Sequence, residues 1–182
     1  MGIVKKDWRT IMKKTNITFD VDHQKMDAGI YLANIQELGN VKTVTIDLRI
    51  KKPYADKTLT EVEAHTFEHC FATAIREHMV DMEDILPAYI GPMGCMTGFY
   101  LVFQMEKDTY GEQEIFEKII DIIDNSVKAI DKMPEVPAKN KIACGNFYTL
   151  SDMDCAKKVA DEIAVICDKC KVRGSFDQYV MS

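Results

Sequence analysis

The segment Ala64-His65-Thr66-Phe67-Glu68-His69 constrains the chain more than any other, because its spacing and its chemistry both call for a helix. Residues three and four apart are neighbours on a helix, so His65, Glu68 and His69 share one face. Opposite them, Phe67, Cys70, Phe71 and Ala74 recur at helical period and form an apolar stripe. The segment reads as an amphipathic helix whose histidines turn away from its own core side. Two imidazoles at i and i+4 can grip one divalent cation, and a glutamate beside them can move protons. The order H-x-x-E-H is the inverted form of a zinc-hydrolase motif. The plain alternative is a solvated helix face carrying three polar residues. Ala72 follows on the histidine face, and its small side chain leaves room for a ligand. A catalytic metal commonly takes three protein ligands and keeps one position open. Candidates for the third ligand are Cys144, Cys95, His23 or a carboxylate.

The chain's 182 residues suit one domain with one core, and a hydrophobic content of 47% excludes a disordered chain. A net charge of −6 argues against nucleic acid as the main partner, since phosphate binding needs a basic footprint. The pairs Lys5-Lys6, Lys13-Lys14 and Lys51-Lys52 read as solubilising surface charge. No apolar stretch approaches the length of a membrane span, so no membrane partner is expected. Met1 to Thr15 is charged and lacks the apolar core of a signal peptide. Six cysteines without such a signal read as reduced thiols of a cytoplasmic protein, serving as core residues, metal ligands or nucleophiles.

Residues 1–16 read as an N-terminal extension and residues 17–182 as a single domain. Ile17 to Val21 alternates and predicts a short strand leading to Asp22 and His23. Thr43 to Ile50 predicts the cleanest strand: Val44, Ile46, Leu48 and Ile50 point one way, and Thr43, Thr45, Asp47 and Arg49 the other. Gly39-Asn40 before it suits a hairpin turn. Gly91-Pro92-Met93-Gly94 reads as a tight turn delivering Cys95. Thr97 to Gln104 then predicts a strand with Phe99, Leu101 and Phe103 on one face. A second helix is expected over about Glu112 to Lys132, with Phe116, Ile119, Ile120, Ile123, Val127 and Ile130 as its stripe; Pro134 and Pro137 break it. A third helix is expected from Ser151, where Ser-x-x-Asp154 resembles a capping box, with Ala156, Ala160, Ile163 and Cys167 facing inward. This pattern predicts an α+β fold, an antiparallel sheet with helices packed on one side, in a single domain.

Cys95 follows two glycines in the expected turn, a place where backbone can approach a ligand closely. It reads either as a reactive thiol beside a metal or as a small buried hydrophobe. Cys144 lies in Ile142-Ala143-Cys144-Gly145-Asn146. It is the preferred third ligand, because a soft thiolate added to two imidazoles suits zinc and also iron(II). Spacing alone does not choose between Cys95 and Cys144. Cys167-Asp168-Lys169-Cys170 is a lone CxxC, and Cys167 fits the inward stripe, so packing is its expected role. Cys70 and Cys155 also fit helix core positions, and His78 is expected to face solvent.

Taken together, Asp22-His23, Arg49, His65-Thr66-x-Glu68-His69, Pro92-Met93-Gly94-Cys95-x-Thr97-Gly98-Phe99-Tyr100 and Cys144-Gly145-Asn146 resemble the S-ribosylhomocysteine lyase family, the quorum-sensing autoinducer-2 synthases. The pieces occur in the family's order and cover the chain from about Ile17 onward, which makes residues 17–182 a lyase-like catalytic domain. The resemblance implies His65, His69 and Cys144 as metal ligands, Cys95 as the catalytic thiol and Glu68 as the second acid/base. It implies His23, Arg49 and Thr18 as substrate contacts. It also implies Fe2+ as the cofactor, with Zn2+ or Co2+ able to substitute, and a cytoplasmic homodimer whose active sites lie at the subunit interface.

The implied reaction breaks the thioether of S-ribosylhomocysteine without net redox chemistry. The carbonyl migrates along the ribose, and β-elimination then gives homocysteine and 4,5-dihydroxy-2,3-pentanedione. A thiolate near a cation is available at neutral pH, and a partly buried carboxylate can have its pKa raised toward neutrality. The chain departs from the family at several positions. Thr18 stands where serine is common. Tyr89-Ile90-Gly91 stands where Asp-Ile-Ser is typical, which touches the contacts to the homocysteine end. Met96 replaces a polar or basic residue, and the N-terminal extension is longer than usual. Two other readings compete. One is a metallohydrolase of the inverted-motif peptidase type, which normally uses a carboxylate as third ligand and has no need of Cys95. The other is a non-catalytic metal-binding paralogue.

Overall fold

The computed structural model of the protein describes residues 20–181. Four strands, β1 (Gly29–Leu38), β2 (Val41–Arg49), β3 (Ile85–Pro92) and β4 (Gly98–Glu106), pair antiparallel in the order β1-β2-β4-β3. Three helices accompany them: α1 (Glu61–His78), α2 (Glu112–Ile130) and α3 (Met153–Arg173). This is the α+β architecture that the alternating strands and the helical stripes predict. Among the described residues no helix is long and apolar enough to cross a membrane. The proposed strand over Ile17–Val21 falls mostly outside the described residues; Val21 itself bridges Met181 near the C-terminus.

The sheet has a dry face and a polar face because strand side chains alternate. Val44, Ile46 and Leu48 of β2 and Phe99, Leu101 and Phe103 of β4 are fully buried and form one core with the helices. α1 packs on β3, α3 packs on β1, and α2 lies against both other helices. On the opposite face the register sets Asp47 between Tyr31 of β1 and Tyr100 of β4, and Arg49 between Gly29 and Gly98. The two glycines keep the Arg49 row narrow. A Cβ at Gly98 would stand 2.1 Å from the Leu48 carbonyl oxygen, so only glycine lets these backbones approach.

The helix that carries the histidines is specified at its start. Thr60 accepts a hydrogen bond from the Glu63 N–H, and Glu63 accepts one from the Thr60 N–H, a complete capping box. The Thr60 N–H, joined by Lys158, pulls the Glu63 carboxyl from its usual 4.5 to about 2. Phe67, Cys70, Phe71 and Ala74 are buried as their spacing requires. Phe67 stacks on Phe71 and meets Phe99 of β4 edge-on. The α2 stripe is likewise buried in full.

Three details correct the reading from sequence, and one adds to it. Gly91 and Pro92 belong to β3, and the turn to Cys95 begins at Met93, closed by the Met96 N–H to the Met93 carbonyl. Pro92 is tolerated because β3 is an edge strand. The residue that takes the left-handed conformation in that turn is Met96, at φ 56°, and not a glycine. The cap of α3 is Asp152, whose carboxylate accepts from the Cys155 N–H, in place of Ser151. His78 is half-buried, with its Nε2 shielded and 3.7 Å from Asp121.

Candidate metal centre and thiol site

Helical spacing alone brings two imidazoles together, and a loop supplies the third donor. The ring centroids of His65 and His69 lie 4.8 Å apart, nearly perpendicular. Cys144 arrives from the segment before the short 3-10 turn Phe147–Thr149, with its sulfur 3.5 Å from His65 Nε2. That loop is held by Asn140, which accepts at its side chain from the Ile142 and Ala143 N–H groups and at its carbonyl from Cys144 N–H. One donor atom each from His65, His69 and Cys144 lie within 4.8 Å of one another. Among the described residues this is the one group of three or more such side chains arranged to hold a cation.

The hydrogen bonds around the rings fix which nitrogens are free. The Thr149 hydroxyl donates to the Asn146 carbonyl, so toward His65 Nδ1, 2.7 Å away, it accepts. His69 Nδ1 lies 2.8 Å from the Pro137 carbonyl, which can only accept. Both histidines therefore carry their proton on Nδ1 and leave the Nε2 lone pair available to a metal. Burial and the neighbouring His69 lower the pKa of His65, which favours its neutral, ligating form. Glu68, 30% exposed at its side chain, places a carboxylate oxygen 3.9 Å from His69 Nε2. Two imidazole nitrogens with a thiol fit a borderline-soft divalent cation.

A second cluster lies at the end of the sheet's polar face. Cys95 is exposed, on the turn between β3 and β4. Arg49 Nη1 points at its sulfur from 3.5 Å and donates to the Thr97 hydroxyl, which leaves the hydroxyl proton free for the sulfur 3.0 Å away. Burial works against a thiolate here. The hydrogen bonds from Thr97 and the charge of Arg49 outweigh it and hold the Cys95 thiol below its ordinary value. The buried thiols behave oppositely: burial pushes Cys70 and Cys170 up to about 11 and Cys167 up to about 12. Cys167 is a buried free thiol, in keeping with the packing role expected of it; Cys170 is buried as well, while Cys155 is only half-buried.

Arg49 is itself held by Asp47, which accepts from Nε at 3.1 Å and from Nη2 at 2.6 Å. Burial pushes the Asp47 carboxyl up, opposed by the charge of Arg49, and Asp47 in turn keeps Arg49 protonated despite its own burial. Neither Asp47 nor the Tyr179 hydroxyl that donates to it, 3.1 Å away, belongs to any motif read from the sequence. Asp47 was marked only by sharing the polar side of its strand with Arg49. Tyr179 carries no local signal.

A cavity of about 290 Å3 opens beside the thiol, lined by His23, Arg49, Tyr54, Asp56, Thr58, Cys95, Thr97 and Pro53. This is at the lower end for small-molecule sites. His23 Nδ1 donates to the Val21 carbonyl at 3.0 Å, which fixes its tautomer. The structure thus gathers His23, Arg49 and Cys95 around one cavity and His65, His69, Cys144 and Glu68 around another point. None of the second set lines the cavity. Thr18 lies outside the described residues. The departures at Tyr89 and Gly91 are coupled: a Cβ at Gly91 would stand 2.3 Å from the Tyr89 hydroxyl, so the tyrosine ring occupies the room a side chain at 91 needs. Tyr89 does not line the cavity.

Comparison with known proteins points to one family. The chain is 34% identical over 161 residues to an S-ribosylhomocysteine lyase of Borreliella burgdorferi (strain ZS7), covering 88% of this chain and 96% of that protein. It is 34% identical over 145 residues to the S-ribosylhomocysteine lyase of Phocaeicola vulgatus, covering 79% and 84%. It is also 34% identical over 138 residues to that of Finegoldia magna, covering 75% and 80%. Residues 17–171 match the family model described as S-Ribosylhomocysteinase (LuxS), and the chain belongs to that family.

Proposed function

We propose that the protein is a metal-dependent carbon–sulfur lyase that cleaves S-ribosylhomocysteine to homocysteine and 4,5-dihydroxy-2,3-pentanedione, the autoinducer-2 precursor. The observation that carries the reading is that two cysteines stand in separate and chemically different surroundings. Cys144 sits with two free Nε2 lone pairs, while Cys95 stands apart under Arg49 and Thr97. A soft third donor also disfavours the peptidase reading, which calls for a carboxylate.

His65, His69 and Cys144 would hold the cation, with Fe2+ as the native metal and Zn2+ or Co2+ as substitutes. When bound, it supplies Lewis acidity to the sugar's carbonyl and hydroxyl oxygens, which makes the adjacent C–H groups acidic. Cys95, whose thiol Thr97 and Arg49 hold below its ordinary value, is the base placed to take such a proton. Glu68, beside His69 and part-exposed, is the second proton carrier. Returning the proton at the neighbouring carbon moves the carbonyl along the ribose. Once it stands two carbons from the thioether-bearing carbon, loss of the intervening proton expels homocysteine thiolate, and no electron acceptor is needed. His23 and Arg49 bind substrate within the cavity, and Thr18 is proposed to join them.

The protein is further proposed to act as a cytoplasmic homodimer with active sites at the subunit interface. The absence of the triad from the lining of the Cys95 cavity supports this, because a second copy could complete each site. A thiol-release assay with S-ribosylhomocysteine on iron(II)- or cobalt(II)-reconstituted protein tests the function. Steady homocysteine release that vanishes in Cys95→Ala is expected. No release from metal-loaded wild type would favour a non-catalytic paralogue, and release that survives Cys95→Ala but not Glu68→Ala would favour hydrolysis.

A further inference from the structure

We propose that Tyr179 is a positioning residue for Cys95, acting through Asp47 and Arg49 and delivered by a C-terminal segment beyond the family-matched residues. The inference rests on the reading of Cys95 as the proton-carrying thiol. The family match ends at residue 171, within α3. Gly174, at φ 74°, then ends that helix and lets the chain reverse.

The returning segment is fastened along its length. Phe176 is buried edge-on against Phe116. The Asp177 N–H donates to the Ile30 carbonyl, and its carboxylate accepts from the Ile30 N–H at 2.9 Å. The sequence makes room for this: a Cβ at Gly29 would stand 2.4 Å from that carboxylate. The Asp22 N–H donates to the Val180 carbonyl, and Val21 bridges Met181. Between these anchors the Tyr179 ring stacks on Tyr31 at 4.8 Å, nearly parallel, and its hydroxyl reaches Asp47.

The physical consequence follows from counting charge along the relay. Asp47 is faced by Arg49 on its own strand, Tyr31 on β1, Tyr100 on β4, Tyr179 from the C-terminal segment, and His23 beside the cavity. The hydrogen bond from Tyr179 engages part of the carboxylate's charge. The guanidinium is then left with more net positive field to direct at the Cys95 sulfur. Burial and the charge of Asp47 push the phenol far up, so it stays a donor throughout the working range.

Tyr179→Phe keeps the stacked ring and removes only the hydroxyl. The readout is the pH profile of Cys95 alkylation by iodoacetamide, followed by peptide mass mapping on full-length, metal-loaded protein. Thermal unfolding is recorded alongside, with Tyr31→Phe as the control for the ring pair. Tyr179→Phe is expected to move the midpoint to higher pH and slow alkylation at neutral pH roughly threefold to tenfold. Tyr31→Phe, whose hydroxyl donates to the Asp27 carbonyl, should leave the profile in place. A wild-type profile in Tyr179→Phe would overturn the proposal, as would equal shifts in both variants, which would show that the bond from Tyr179 to Asp47 has no special part in the effect. Absence of thiol release in wild type would sink the lyase reading, while the alkylation profile separately decides whether Tyr179 sets the acidity of Cys95.

Discussion

The candidate metal triad and the thiol cluster are built by different means. The triad is mostly local. Two of its donors come from one helix four residues apart, and each ring is set by one acceptor, Thr149 or Pro137. The thiol cluster is assembled from the ends of two paired strands, a turn and a returning C-terminal segment, joined by a chain of hydrogen bonds from Tyr179 to Asp47 to Arg49 to Cys95. A site of the first kind depends on its helix; one of the second depends on the register of the whole sheet. The thiol turn also stores strain. Met96 in the left-handed region costs about 1 kcal/mol or more, held by the Leu59 N–H on its carbonyl.

The largest expected effects separate the two regions. Cys95→Ala should abolish homocysteine release, by roughly a thousandfold or more, with bound metal unchanged. His65→Ala should remove both metal and activity, and loss of metal in Cys95→Ala, measured by elemental analysis, would merge the two sites into one. Next comes the orienting layer. Thr149→Val leaves His65 Nδ1 without its acceptor and is expected to weaken metal affinity about 10- to 100-fold in a chelator competition. Cys95 alkylation should not change in that variant.

Thr97→Val tests the other side. Because Thr97 and Arg49 hold the thiol below its ordinary value, removing the hydroxyl raises that value and lowers the thiolate fraction at neutral pH, by roughly threefold to tenfold. The acid limb of the pH–rate profile should move to higher pH with metal content intact. The smallest effect is structural. Thr60→Ala removes half the capping box and should cost about 1 kcal/mol of stability in denaturant titration. The Glu63 half of the box has a depressed folded pKa. Its contribution is present above about pH 4.5 and lost as pH falls toward 2.

How much of this could be read from the sequence follows the same division. Periodicity reveals α1, α2 and the β2–β4 core, because each buries one regular face. β1 escapes it: only its first half is buried, and a bulge between Leu32 and Asn34 resets the alternation. The His65–His69 pair is legible from spacing alone. Cys144 is not, since nothing local distinguishes it from Cys95; the family motifs single it out, and the fold brings it to the rings. Asp47 could be suspected from its place two residues before Arg49 on the polar side of β2. Tyr179 could not, because its partner lies 132 residues away and only the reversal after α3 joins them.

The most direct test of two cysteines with two jobs is differential alkylation of metal-loaded protein, following each thiol by peptide mass mapping as activity is lost. The account predicts that Cys95 is modified first, that Cys144 stays protected while metal is retained, and that activity falls in step with Cys95 modification. Alkylation of Cys144 at the rate of Cys95 with the metal still bound, or activity that outlasts full modification of Cys95, would contradict it.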